Sequence, residues 1–132
     1  MNSRTAHRFA GRYRFDAPHL RNVALLDADA ADGSRGDDID MEAAYCAIVG
    51  ALERPFTTDD ATMDDRLRAH ASRQSVQSYC GVLLRTATGE PFGTLCHFDV
   101  VPCDVPAAQI PLMEAAARLI MHALENEPPL SS

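Results

Sequence analysis

A chain of 132 residues with 46% hydrophobic and 23% charged residues has the composition of a single soluble globular domain. The formal net charge is −7 and the chain has no lysine, which argues against a nucleic-acid partner. No apolar run approaches the roughly 18–20 residues that span a bilayer, and none follows the basic N-terminus as a signal peptide requires. We therefore expect a cytoplasmic protein without membrane contact.

Four cysteines lie at positions 46, 80, 96 and 103, and no two of them form a Cys-x-x-Cys motif. This spacing does not support a disulfide framework, and thiols stay reduced in the cytosol. Buried free cysteines usually pack as small hydrophobic side chains, which is our expectation for Cys46 on its predicted helix.

The first third of the chain predicts a β-hairpin followed by a loop. Residues Gly11–Asp16 alternate between polar and apolar, as a half-buried strand does. An Ala-Pro-His turn separates them from a second predicted strand at Leu20–Leu26. The next stretch, Asp27–Asp38, has no hydrophobic period and predicts a solvated acidic loop.

A helix and two shorter elements are predicted next. Asp40 is a candidate N-cap for a helix over Met41–Leu52, because its carboxylate can accept hydrogen bonds from the free amides of the first turn. Phe56–Thr58 predicts a short extended segment. A helical spacing of apolar residues predicts a short helix over Asp64–Ala71.

The clearest local pattern lies at residues 76–99. Two apolar runs, Tyr79–Leu84 and Phe92–Phe98, flank a turn-like Thr-Gly-Glu-Pro segment, which predicts a β-hairpin. Gly93 within the second strand indicates a bulge or a close backbone contact.

The length of the turn decides which cysteines share a face of this hairpin. One possibility places Thr88 and Gly89 at the centre of the turn. Cys80 then lies opposite His97, and Cys96 points to the other face. A turn one residue longer would place Cys80 and Cys96 on one face, where a dithiol or a shared metal ion becomes possible. Cys96 and His97 are strand neighbours that point apart, so we expect no metal site.

The last predicted element is a helix from about residue 107 to 125, and residues 126–132 form a tail. A helix that packs on one sheet needs an apolar stripe of only about 100°, whereas the apolar positions here cover about half of the circumference. We therefore expect part of this helix to pack against its copy in a two-fold homodimer. The apolar positions are Ile110, Leu112, Met113, Ala116, Ala117, Leu119, Ile120, Ala123 and Leu124.

This order of elements, with neighbouring strands joined by tight turns, predicts a single α+β domain over residues 1–132. Its sheet is mostly antiparallel and carries helices on its faces.

The hairpin also resembles the GAF domain family, through Ser-Tyr-Cys-Gly-Val-Leu-Leu at 78–84 and Gly-Glu-Pro-Phe-Gly-Thr-Leu-Cys-His-Phe-Asp at 89–99. The likeness extends over nearly the whole chain, from Tyr-Arg-Phe-Asp at 13–16 to the helix at 106–124. It implies a GAF-like (profilin-like) central antiparallel sheet of about six strands. The terminal helices would cover one face, and the other face would hold a pocket roofed by loops.

The resemblance implies where a ligand would bind, since GAF domains mostly bind small molecules and pass the occupancy on. An aromatic floor with a few polar groups is how small-molecule sites are usually built. No residue pattern here selects one ligand or cofactor. The candidate ligand-binding residues are Tyr45, Cys46, Thr57, Asp59, Tyr79, Cys80, Cys96, His97 and Asp99.

The sequence thus favours a small-molecule-binding or redox-responsive sensor domain without catalysis or an output domain of its own, which acts through a downstream signalling protein. Some stand-alone GAF proteins are free methionine-(R)-sulfoxide reductases, so a thiol enzyme of that kind is one alternative. In those enzymes the reactive cysteines lie in the loop between the third and fourth strands. The corresponding residues of this chain, 57–77, contain no cysteine, so the resemblance to the reductases is weaker there. A structural dimerisation module is the other alternative.

Overall fold

The computed structural model describes residues 7–27 and 38–126. Most of the predicted acidic loop and of the C-terminal tail lies outside the described residues. Short 3₁₀ turns occur at Met41–Ala43, Ala61–Met63 and Asp65–Leu67. The strands and helices are β1 (Phe9–Asp16), β2 (His19–Asp27), β3 (Ile39–Asp40), α1 (Cys46–Leu52), β4 (Phe56–Thr58), β5 (Ser78–Arg85), β6 (Pro91–Asp99) and α2 (Gln109–Glu125).

The six strands form one antiparallel sheet in the order β3-β2-β1-β6-β5-β4. The hairpins β1-β2 and β5-β6 follow from local sequence, as predicted. The two hairpins meet at the centre of the sheet, where β1 of the first pairs with β6 of the second over six residues. These two strands are far apart in the chain. The predicted α+β fold with a six-stranded antiparallel sheet is confirmed.

The two faces of the sheet carry different layers. On one face α2 packs against β5, and the buried residues there are Cys80, Val82, Leu84, Met113, Ala117 and Met121. The resemblance implied terminal helices on this face, and among the described residues α2 alone covers it. The opposite face is covered by α1 and by the segments around the 3₁₀ turns, whose buried side chains form a second core.

The predicted helix Met41–Leu52 is divided in the structure. The 3₁₀ turn Met41–Ala43 ends at Ala44, whose backbone is extended (φ −125°, ψ 140°), and α1 begins at Cys46. The prediction that Asp40 caps a helix is wrong. Its side chain makes no capping hydrogen bond, and Asp40 instead pairs with β2 and lies 3.3 Å from His19 Nδ1.

The hairpin β5-β6 has the register that separates the two strand cysteines. Cys80 lies opposite His97, and Gly81 lies opposite Cys96. The ladder shifts by one residue at the turn end of the hairpin, between Leu84 and Arg85. Cys80 therefore faces α2 and Cys96 faces the α1 side, which rules out a dithiol or a metal ion shared by these two. Neither described helix has the length and hydropathy of a membrane-spanning helix.

Candidate functional site

A cavity of about 280 Å³ lies between the sheet and the segments that cover its α1 face. The strands β1, β5 and β6 supply its floor. The 3₁₀ turn before α1 and the stretch at 72–76 supply its sides. The lining residues are Tyr13, Ile39, Ala43, Ala44, Tyr45, Cys46, Ser72, Val76, Tyr79, Cys96 and Phe98.

Tyr45 connects the two sides of the cavity. Its hydroxyl donates to the carbonyl of Val76 at 2.7 Å, and its ring meets Tyr79 edge to face at 5.4 Å between centroids. The hydroxyl of Ser72 donates to the carbonyl of Ala43 close by. These contacts hold the 72–76 segment against the start of α1, so the walls are fixed by the fold itself.

A cluster of sulfur and hydroxyl groups occupies the floor of the cavity. The Tyr79 hydroxyl lies 3.2 Å from Cys46 Sγ, and the Thr94 hydroxyl donates to the same sulfur at 3.1 Å. Cys96 borders the same cavity from β6. Tyr79 reaches this position across Gly81, where a Cβ atom would lie 2.1 Å from its hydroxyl. The glycine therefore leaves the space that the tyrosine fills.

The titratable groups of the floor are shifted by burial and by each other. Burial raises the pKa of Tyr79 well above its usual range, so its hydroxyl is neutral at neutral pH. The neighbouring Cys96 lowers the pKa of Cys46, and the hydrogen bonds with Thr94 and Tyr79 act in the same direction against burial. Cys46, together with burial, raises the pKa of Cys96.

Four of the predicted site residues meet in this cavity: Tyr45, Cys46, Tyr79 and Cys96. All four are at least 97% buried, with exposed fractions of 3%, 3%, 3% and 1%. The expectation that Cys46 faces the core agrees with its position.

Two predicted residues, Thr57 and Asp59, lie in a separate open depression. It has a volume of about 450 Å³ and is lined mostly by acidic side chains and Arg66. The Asp59 carboxylate accepts a hydrogen bond from the backbone N–H of Val105 at 3.0 Å. Asp59 therefore anchors the connection that leads into α2.

The other three predicted residues have partners away from the cavity. The Cys80 thiol contacts the Met113 sulfur at 3.4 Å on the α2 face. His97 is hydrogen-bonded through Nδ1 to the Gln109 side chain at 3.0 Å. Asp99 accepts from the backbone N–H of Val100 at 2.7 Å and of Arg8 at 3.0 Å. Ligand contact by any of the nine residues stays a prediction.

Sequence reasoning missed several lining residues. Tyr13 and Phe98 have the alternation of strand residues, and this pattern could have placed both on the face of Cys96. The register confirms that Phe98 pairs with Tyr79 and that Tyr13 pairs with Thr94. For Ile39, Ser72 and Val76 no local pattern gives a signal, since they reach the cavity only through the path of the connecting segments.

No protein-family model matches the chain, and no curated protein matches it. Several solved structures are similar to the chain in fold. A type II free methionine-R-sulfoxide reductase from Thermoplasma acidophilum has a TM-score of 0.68 at 17% identity, covering 91% of this chain and 80% of that one. A free methionine-R-sulfoxide reductase from Neisseria meningitidis, in complex with its substrate, has a TM-score of 0.70 at 14% identity, covering 90% of this chain and 68% of that one. A protein from Burkholderia vietnamiensis described as a GAF sensor has a TM-score of 0.64 at 19% identity, covering 88% and 69%.

Proposed function

We propose that this chain, which has a GAF-like fold, binds a small, uncharged, largely apolar molecule in the cavity beside α1. The observation that carries the proposal is the character of the lining. In the described part of the chain, the residues that border the cavity include aromatic rings, aliphatic groups, two thiols and one serine, and no Asp, Glu, Arg or His. Such a surface favours an apolar ligand with few polar groups.

The chemistry of the lining argues against an ionic ligand. A charged ligand loses its hydration on entering an apolar cavity and needs an opposite charge or several hydrogen bonds in return. The polar atoms near the floor are the thiols of Cys46 and Cys96 and the Tyr79 hydroxyl, and this hydroxyl already lies 3.2 Å from Cys46 Sγ. The volume of about 280 Å³ lies near the lower end of the usual range for ligand sites, roughly 300–1,000 Å³, and favours a compact molecule.

The sensor role is the second part of the proposal. The cavity is bounded by α1 and by the centre of the sheet, so a bound molecule would contact elements of both. We infer that occupancy is passed to a downstream signalling protein and that the domain is a cytoplasmic homodimer. The four free buried thiols support a reducing compartment.

Thermal unfolding with matched probe compounds tests the ligand class. Indole carries a neutral aromatic ring, and tryptophan carries the same ring with an ammonium and a carboxylate. A ligand that binds only the folded state stabilises it by about 2.7 kcal/mol at 100 times its Kd. We expect the unfolding temperature to rise with indole, or with another neutral heterocycle of that size, and to stay constant with tryptophan and with cyclic AMP.

A variant that fills the cavity makes the test specific. Ala43 is exposed and lies at the cavity rim, so Ala43→Phe should abolish the thermal shift. Ala51 is exposed on α1 outside the lining, and Ala51→Phe should preserve the shift. A shift produced only by charged compounds, or one that Ala43→Phe leaves intact, would refute the proposed ligand class.

The two thiols in the cavity keep the reductase alternative testable. Turnover of free methionine-(R)-sulfoxide with a thioredoxin system, lost on Cys46→Ser, would favour the enzyme. The uncharged lining offers no carboxylate for the substrate amine among the described residues, so we expect no turnover. Without turnover or any ligand-induced shift, the structural dimerisation module would remain.

A further inference from the structure

One flank of α2 carries large and small apolar residues in alternation. Its members are Leu112, Ala116, Leu119 and Ala123, at spacings of four, three and four residues, so they form one line along the helix. Leu112 and Leu119 are 72% and 71% exposed, and Ala123 is exposed as well. We call this line the Leu/Ala stripe. It lies beside the side chains that α2 buries against the sheet, so the sheet leaves its two leucines uncovered.

Two open depressions lie along the same flank, and each has an alanine of the stripe in its wall. The first has a volume of about 480 Å³ and is lined by Ala116 together with Leu95 of β6. The second has a volume of about 420 Å³ and is lined by Ala123 together with Arg12 of β1. Each alanine leaves space that a larger side chain would fill. The stripe therefore combines two projecting leucines with two recesses.

The order of large and small residues in the stripe is complementary to its own reverse. If a second α2 lies antiparallel to the first, with a two-fold axis between positions 117 and 118, Leu112 of one copy meets Ala123 of the other. Ala116 then meets Leu119. Each leucine enters a recess of the other copy, as knobs enter holes between packed helices. In a parallel two-fold pair each residue would meet itself, so leucines would collide at one level and alanines would leave a gap at the next.

The charge distribution allows two copies to meet at this surface. Each copy has a net charge of −7, so copies repel each other where their carboxylates face. Among the described residues, those that line the two depressions include no Asp or Glu. The carboxylates of α2 lie elsewhere. Glu114 borders a groove beside Leu83 of β5, and Glu125 accepts a hydrogen bond from the backbone N–H of Ala87 at 2.9 Å.

We propose that two copies of this chain pack their Leu/Ala stripes against each other in antiparallel orientation, with Leu112 opposite Ala123 and Ala116 opposite Leu119. The inference rests on the homodimer proposed above and specifies the orientation and register of its contact. Alanine at every second position lets the two helix axes approach to the shorter end of the usual range of roughly 8–10 Å.

Disulfide trapping tests the register. In the double variant Leu112→Cys/Ala123→Cys, the two positions are eleven residues apart on one helix, which is about 16 Å. A disulfide needs Cα atoms roughly 4.4–6.8 Å apart, so these thiols cannot pair within one chain. Between antiparallel copies they lie opposite each other. We expect mild oxidation to give a covalent dimer, and peptide mapping to join position 112 of one copy to position 123 of the other.

The matched controls are the two single variants and the unmodified chain. In the antiparallel pair, position 112 of one copy lies about 16 Å along the axis from position 112 of the other, and the same holds for position 123. Leu112→Cys and Ala123→Cys alone should therefore stay uncross-linked. The unmodified chain should too, because its four cysteines are buried. A covalent dimer of either single variant would overturn the antiparallel orientation, and no covalent dimer of the double variant would overturn the register.

An exchange of large and small residues tests the packing itself. Ala123→Leu places a leucine opposite Leu112 of the other copy, and we expect the Kd of the dimer to rise roughly tenfold through overpacking. Adding Leu112→Ala restores the match with the sizes exchanged, so the Kd should return to within about threefold of the original value. Ala51→Leu changes an exposed alanine of α1 and should leave the Kd as it is.

Analytical ultracentrifugation measures these constants and separates two kinds of failure. If Ala123→Leu and Leu112→Ala weaken the dimer additively, the proposed contact is overturned while the homodimer stands. If the unmodified chain sediments as a monomer at micromolar concentration, the homodimer and this contact are both refuted.

Discussion

At two individual positions, the close packing of the sheet leaves room only for glycine. Among the glycines that the structure describes, Gly81 and Gly93 are the two where a Cβ atom would meet another group of the sheet at about 2 Å. At Gly81 the obstacle is the Tyr79 hydroxyl, and at Gly93 it is the backbone carbonyl of Tyr13. The first glycine therefore shapes the cavity floor, and the second allows the central strands to pair.

Gly93→Ala should destabilise the protein strongly. A Cβ atom at this position would lie 1.9 Å from the Tyr13 carbonyl oxygen, so β1 and β6 would have to separate. We expect a loss of about 3 kcal/mol or more in the free energy of unfolding, measured by urea denaturation. Gly50→Ala is the matched control. Its Cβ would meet the end of the Phe15 ring, which can turn away, and equal losses for both variants would contradict the argument.

His7 should make stability depend on pH. Burial, and next the neighbouring His97, lower the pKa of His7 to about 4, although Asp99 and Asp59 act in the opposite direction. Between about pH 6.5 and 4 the unfolded chain binds a proton that the folded chain does not. Stability should therefore fall as the pH drops through this window.

The measurement is urea unfolding at a series of pH values with His7→Gln and a control. His7→Gln should flatten the dependence between pH 6.5 and 4, while a slope due to His97, whose pKa burial also lowers, remains. His122→Gln changes an exposed residue near the end of α2 and should leave the dependence as it is. Equal slopes in all three proteins would contradict a role for His7.

At the scale of elements, the two helices serve different purposes. The long helix α2 covers one face of the sheet with a regular series of buried residues, Met113, Ala117 and Met121. The short helix α1 contributes Cys46 and Val49 to the other face and leaves the cavity beside it. We therefore expect the buried side chains of α2 to contribute more to the free energy of unfolding than the exposed side chains around the cavity.

Met113→Ala tests the packing of α2. The side chain is 4% exposed and contacts Cys80 on β5. We expect a loss of about 2–4 kcal/mol in the free energy of unfolding, since the truncation leaves a cavity in a packed layer. Met63→Ala removes the same atoms from a side chain that is 80% exposed, and should change stability by about 0.5 kcal/mol or less. Similar losses at both positions would show that α2 does not pack as described.

At the scale of the whole molecule, α2 has more apolar surface than one sheet buries. Leu112 and Leu119 are 72% and 71% exposed, and Leu124 is 37% exposed. Residues 112 and 119 are seven positions apart, so they lie on one side of the helix. This outward stripe supports the proposed homodimer, in which α2 packs against its copy.

Light scattering tests the dimer. At micromolar concentration we expect twice the chain mass of 14.4 kDa. Leu119→Glu places a charge in the proposed interface and should give the mass of a single chain. Met63→Glu alters an exposed apolar residue outside α2 and should leave the dimer intact. A wild-type protein with the mass of one chain would refute the homodimer.

The sequence determined the parts of this protein that depend on near neighbours. Period-two alternation marked β1, and turn residues marked its hairpin with β2. Apolar runs on either side of a turn marked β5 and β6, and period-3.6 spacing marked α2. All of these patterns lie within a few residues of the chain. The prediction of one continuous helix over Met41–Leu52 failed at Ala44, since an extended residue inside an apolar stretch leaves no local mark. The short β3 was missed for the same reason.

Tertiary structure alone decided the site. The sequence named Tyr45, Cys46, Tyr79 and Cys96 as candidates but did not place them around one cavity. That arrangement requires β1 to pair with β6 and α1 to lie across the resulting sheet, and both steps join residues that are far apart in the chain. Local periodicity states which face a side chain takes, whereas the partner it meets there depends on the packing of the whole fold.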